Sequence, residues 1–88
     1  MEKQTCVLYS TTLTIDKCKE HCLLSNYDFA GVKSSTQCFC GDIAPRRKLP
    51  DSECKESCSG NEQQICGGRR AMNVFSTKGE GKNTWQYM

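Results

Sequence analysis

Eight cysteines in 88 residues constrain this chain more than any other feature. They stand at Cys6, Cys18, Cys22, Cys38, Cys40, Cys54, Cys58 and Cys66, grouped as C-x3-C, C-x-C-G, C-x3-C-S-G-N and C-G-G. An even, clustered set in so short a chain is the pattern of a disulfide-stapled domain made where thiols are oxidised. The hydrophobic share is 36% with the cysteines counted. A core that small leaves little net stability once chain entropy is subtracted. A disulfide closing about 20 residues contributes roughly 3 kcal/mol in the chain-entropy model. Four of them are expected to carry the fold.

Charge and hydropathy narrow the class further. The net charge is +2, with acids and bases mixed along the chain, which is a solvated surface rather than a nucleic-acid-binding face. No stretch is apolar enough to span a bilayer, so no membrane insertion by this segment is expected. Met1-Glu2-Lys3-Gln4 is polar and is not a signal peptide. A disulfide domain without such a signal reads as a module of a longer secreted or membrane-anchored protein, placed outside the cell. Residues 1–5 read as a linker or an added start, 6–76 as the domain, and 77–88 as a flexible tail or linker. There is no N-x-S/T acceptor.

The spacing predicts a helix from about Thr14 to Ser25. Thr14 suits the N-cap, and Asp16 suits the positive end of the dipole. Ile15, Cys18 and Cys22 recur at helical spacing, and Asn26 suits the left-handed position that ends the helix. Tyr27 to Val32 reads as a strand, with Gly31 marking a close approach. Ser34-Ser35-Thr36 reads as a hairpin turn, and Gln37 to Cys40 as the returning strand. Cys18 and Cys22 share a helix face, while Cys38 and Cys40 share a strand face. Two disulfides can therefore clamp the helix across the hairpin. Geometry alone allows Cys18–Cys38 with Cys22–Cys40, or the nested Cys18–Cys40 with Cys22–Cys38. Residues 41–52 read as a loop carrying the basic run Arg46-Arg47-Lys48. Cys54 to Gly68 reads as a compact, locally stapled segment. Met72 to Ser76 reads as a last strand, with Met72 and Val74 inward and Phe75 outward.

Several strings resemble the WSC domain: Leu13-Thr-Ile-Asp-Lys-Cys18, Tyr27-Asp-Phe-Ala-Gly31, Cys38-Phe-Cys-Gly41, Asp51-Ser-Glu-Cys54, Cys58-Ser-Gly-Asn61, Ile65-Cys-Gly-Gly68 and Asn73-Val-Phe-Ser76. This family occurs in fungal cell-wall stress sensors, fungal glucan-degrading enzymes and animal cell-surface proteins such as Kremen and polycystin. The resemblance covers about residues 6 to 76. It implies a small disulfide-rich α+β fold of apple/PAN-like type, with one helix on a small antiparallel sheet and four disulfides. The pairing it implies is Cys6–Cys54, Cys18–Cys38, Cys22–Cys40 and Cys58–Cys66. It also implies a non-enzymatic carbohydrate-binding module. The chain departs from the family in carrying Thr5 and Val7 around its first cysteine, and in a short Cys6-to-Cys18 stretch.

Other chemistries find less support. C-x-C is a poor chelating pair for one tetrahedral zinc ion, and His21, the one histidine, reads as an ordinary surface residue. No metal or cofactor is expected. A nucleophilic cysteine needs a free thiol, and all eight can pair. Nothing in the spacing of the ten acids pairs two carboxylates across a cleft. A glycan partner is the sharper expectation, since sugars stack their C–H faces on aromatic rings and need polar groups around them. Phe39 is the first candidate, because its cysteine neighbours point to the helix and its own ring should face the other way. Tyr9, Tyr27 and Phe75 are further aromatic candidates. Asn26, Gln37, Asp42, Asn61, Arg69 and Arg70 are the polar ones. Phe29 reads as core, Trp85 and Tyr87 as tail residues, and the two basic groups as solvated turns. The alternative partner is a cell-surface protein, met through a flat apolar patch.

Overall fold

The computed structural model describes residues 6–42, 50–78 and 85–87. Among the described residues, seven strands and one helix run in the order β1 (Cys6–Tyr9), α1 (Ile15–Leu24), β2 (Phe29–Lys33), β3 (Gln37–Gly41), β4 (Ser57–Cys58), β5 (Asn61–Ile65), β6 (Met72–Ser76) and β7 (Trp85–Tyr87), with a 3-10 turn at Asp51–Glu53. Five strands form one antiparallel sheet in the order β1-β3-β2-β6-β7, and β4 and β5 form a separate hairpin. The expected arrangement of one helix on a small antiparallel sheet is present. β7 lies where a flexible tail was expected: Trp85 pairs with Val74 and Tyr87 with Met72.

Helix α1 is bounded by its own sequence. Thr14 is extended, and its hydroxyl accepts from the Lys17 N–H at 3.1 Å, satisfying one of the orphan donors of the first turn. Asn26 takes φ 66 just past the C-cap Ser25. The Tyr27 N–H then reaches Cys22 O at 2.9 Å and the Asn26 N–H reaches Leu23 O at 3.0 Å. This is the paired closure of a Schellman motif. It turns the chain toward β2 and sets the half-buried Tyr27 against the core.

The sheet has two unlike faces. Cross-strand partners share a face, and β2 pairs Ala30 with Cys40 and Val32 with Cys38 on β3. These four residues are buried with Leu13, Cys18, Cys22, Cys58 and Cys66 under the helix. Two disulfides, Cys18–Cys38 and Cys22–Cys40, cross from α1 to β3 with Cα separations of 5.6 and 5.4 Å. Four helical residues advance about 6 Å along the axis, and two strand residues advance about 7 Å. The crosslinks therefore run side by side between elements pointing the same way, and the nested pairing does not occur. On the opposite face, Phe39, Met72 and Val74 are buried together, with Phe29 packed on them.

The β4–β5 hairpin is closed by Cys58–Cys66, Cα separation 4.7 Å. Ser59 fastens it to the rest: its Oγ accepts from Leu13 N at 2.9 Å and donates to Ser10 O at 2.8 Å. The Gly60 N–H adds a bond to Leu13 O at 2.7 Å. Gln64 Oε1 accepts from Ile15 N at 3.1 Å, so the hairpin also serves the first turn of α1. Gly67 takes φ 75, and a Cβ at Gly68 would fall on the Glu53 carbonyl, which explains two adjacent glycines after Cys66. The side chain of Cys6 lies outside the described residues, and its expected partner Cys54 is buried.

Candidate functional site

Most of the candidate residues fall into two groups at opposite ends of the sheet. One group follows from the β2–β3 hairpin. Its turn residues Ser34 and Ser35 take φ 53 and φ 70, and the strands leave the turn with Lys33 opposite Gln37. On the other side of β3, Gln37 faces Tyr9 of β1. Tyr9, Gln37 and Lys33 therefore form one row across three strands. The row lies on the face away from the helix, because their neighbours Leu8, Cys38 and Val32 point toward it. With strands about 4.8 Å apart the row spans about 10 Å. Tyr9 is 68% exposed, while Gln37 and Lys33 are half-buried. An exposed ring, a primary amide and an ammonium thus stand side by side, with the middle strand β3 crosslinked to α1.

The turn that sets this register is gripped from outside. Ser34 N donates to Gly68 O and Ser35 N to Cys66 O, both at 3.2 Å, while Ser59 N donates to Ser35 O at 3.1 Å. The Ser35 hydroxyl donates to Ser57 O. Arg69 and Arg70 follow Gly68 directly and are exposed, so they belong to this end of the molecule.

The second group gathers where β2 begins and β6 ends. Asn26 is exposed, and Asp42 Oδ1 accepts from the Asp28 N–H at 3.3 Å. Thr77 is buried, donating its hydroxyl to Tyr27 O at 2.7 Å and its N–H to Asp28 O at 3.0 Å. Lys78 pairs with Asp28 at 3.1 Å, the one ion pair among the described residues. Both partners are exposed, so the pair contributes little to stability. The backbone of Tyr27 and Asp28 and the carboxylate of Asp42 are thus engaged in closing this end of the sheet.

Three candidates stand elsewhere. Phe39 does lie on the face opposite the cysteines, but it is only 8% exposed under Met72 and Val74, so its ring offers little area for stacking. Phe75 pairs with Ala30 and packs half-buried against the helix-side core. The outward orientation expected for it is corrected. β6 is an inner strand with both faces covered, and Val74 takes the far face. Asn61 is exposed on β5, its Oδ1 bonded to Gln63 N at 3.0 Å. The basic run Arg46-Arg47-Lys48 lies outside the described residues.

Lys33 is the residue that sequence reasoning missed. The signal was the hairpin itself: a turn over residues 34–36 necessarily sets 33 against 37. The sulfurs of Cys18, Cys22 and Cys38 lie within 4.8 Å of one another. Each is bonded to another sulfur, so none offers the thiolate that a metal requires.

Comparison with known proteins agrees with this architecture. The WSC domain model matches residues 2–68. Xylosyltransferase oxt of Drosophila melanogaster is 47% identical over 74 residues, covering 78% of this chain and 8% of that protein. A WSC domain-containing protein of Arthroderma benhamiae is 44% identical over 70 residues, covering 76% of this chain and 8% of that protein. Human Kremen protein 2 is 35% identical over 80 residues, covering 86% of this chain and 17% of that protein. The chain thus spans less than a fifth of these relatives. With the family model matched over most of its length, and the helix clamped by two disulfides to the β3 hairpin, this chain belongs to the WSC domain family.

Proposed function

We propose that the chain is an extracellular, non-enzymatic carbohydrate-binding module of a larger secreted or membrane-anchored protein. The observation that carries this reading is the row Tyr9–Gln37–Lys33. Its exposed ring offers a face for sugar C–H groups, and its amide and ammonium offer hydrogen bonds to hydroxyls on the same line. Shallow sites with a few convergent polar groups suit saccharides, and the disulfides keep the row's backbone in place without a ligand. Disulfides persist in oxidising compartments, which supports the location. The same reading takes residues 6–76 as an apple/PAN-like domain, with Cys6–Cys54 as a fourth crosslink. The relatives' names include a xylosyltransferase, but the matched segment is a small part of that protein, and the proposed role here is binding.

A second reading is a protein-interaction module. It is favoured by Leu23 and Leu24, which stand exposed side by side at the end of α1, Leu24 at 75%. An NMR titration of the oxidised 88-residue chain with β-1,3-glucan, mannan, chitin and sulfated oligosaccharides tests the first reading. Saturable shifts at Tyr9, Gln37 and Lys33 are expected. No shift with any of these up to about millimolar ligand, the weak end of useful affinity, would overturn it in favour of the protein partner.

A further inference from the structure

Beside the row stands a second feature that a neutral sugar does not require. Gly67 and Gly68 dock on the β2–β3 turn: Gly68 O accepts from both Ser34 N at 3.2 Å and Ser34 Oγ at 3.4 Å. A Cβ on Gly67 would meet the Val32 carbonyl and the Lys33 Cα. The Gly68 N–H then bonds to Ala71 O at 2.8 Å, which makes Arg69 and Arg70 the tip of a two-residue turn. Both arginines are exposed, and β6 starts immediately after at Met72. Three cations, Lys33, Arg69 and Arg70, therefore share the end of the sheet that carries Tyr9 and Gln37. Glu53 and Glu56 also meet the glycine pair, through the Glu53 carbonyl and a bond from Glu56 N to Gly67 O at 2.9 Å. Among the described residues, none of the three cations forms an ion pair.

We propose that the glycan held by the Tyr9–Gln37–Lys33 row is anionic, and that Lys33 and the Arg69–Arg70 tip receive its sulfate or carboxylate groups. The proposal rests on the glycan-binding reading above and adds the chemical class of the ligand. A guanidinium matches sulfate or carboxylate with two parallel N–H donors, and an ammonium adds a point charge beside the ring that orients the sugar. The tip is fixed by backbone bonds to the same turn that sets the row's register, so the backbone anchors of the cations hold their place beside the row. The attraction is exposed to solvent and is therefore screened by salt.

The test compares three tetrasaccharide probes on the oxidised 88-residue chain by NMR and calorimetry: neutral laminaritetraose, its sulfated form, and tetragalacturonate. At least one acidic probe is expected to bind about tenfold tighter than the neutral one, the sum of two or three exposed charge contacts. That advantage should fall severalfold between about 50 and about 300 mM salt. The tighter of the two acidic probes identifies the group. The double variant Arg69→Gln/Arg70→Gln should lose most of the acidic advantage and keep the wild-type spectrum elsewhere. Equal affinity for neutral and acidic probes overturns the anionic proposal and leaves the glycan row standing. No binding of any probe overturns this proposal, and the row falls with it when mannan and chitin also give no shift. Acidic binding that persists undiminished in Tyr9→Ala shows charge attraction without a sugar site, and also overturns the proposal.

Discussion

The two faces of the sheet are buried by different means. On the helix side, α1 is tied to β3 by Cys18–Cys38 and Cys22–Cys40, and the cysteines themselves form much of the core. On the far side, Phe39, Met72, Val74 and Phe29 pack with no described crosslink among them. The helix side adds covalent constraints to its apolar packing, whereas no described crosslink joins the apolar cluster of the far side. The far side also carries the exposed row Tyr9–Gln37–Lys33. The proposed binding row thus stands at one end of a face whose centre is dry, while the other face ties β3 beneath it to α1.

The largest effect should come from the helix side. Removing both clamps, by Cys18, Cys22, Cys38 and Cys40→Ser, is expected to cost about 5 kcal/mol and unfold the chain, read as loss of helical circular dichroism and of dispersed amide signals. The two bonds are not equal contributors once one is in place. With Cys18–Cys38 formed, Cys22–Cys40 closes only the short ring from Cys18 to Cys22 and back from Cys40 to Cys38. Its loss should then cost about 2 rather than about 3 kcal/mol, and Cys22→Ser/Cys40→Ser should stay folded with a lower Tm.

On the far side, Phe39→Ala should cost about 3–5 kcal/mol by emptying the centre of the apolar cluster, measured by urea denaturation under oxidising conditions. A smaller effect belongs to the cap: Thr14→Ala removes the acceptor for Lys17 N and should cost about 1 kcal/mol. Smaller still, and opposite in sign, is Ser35→Gly. It relieves a left-handed residue at φ 70 at the expense of the hydroxyl bond to Ser57 O. A gain of at most about 0.5 kcal/mol is expected, since backbone relief and the lost bond nearly offset each other. A clear loss would show that the Ser35 hydroxyl dominates.

Much of the helix side was legible in the sequence. Thr14, Asn26 and the four-residue spacing of Cys18 and Cys22 act locally, and the cap and stop fall where those residues stand. The choice between straight and nested pairing was open from geometry because it depends on the direction of α1 relative to β3, a tertiary fact. The far side was less legible. β6 is buried on both faces, so alternation cannot say which side Phe75 takes. β7 follows a stretch with Gly79 and Gly81 that reads as linker, and its pairing with β6 shows only when the sheet is assembled. The candidate row was half visible: Tyr9 and Gln37 stood out as residues, whereas Lys33 joins them through hairpin register alone.

The central claim is that Tyr9 acts in binding and not in folding. The most direct test is glycan affinity of Tyr9→Ala beside its thermal unfolding. Because the ring is 68% exposed, stability should change by no more than about 0.5 kcal/mol, while affinity for the tightest glycan falls by about tenfold or more, as expected when a stacking ring is truncated. Unchanged affinity in a fully folded Tyr9→Ala chain would contradict the account.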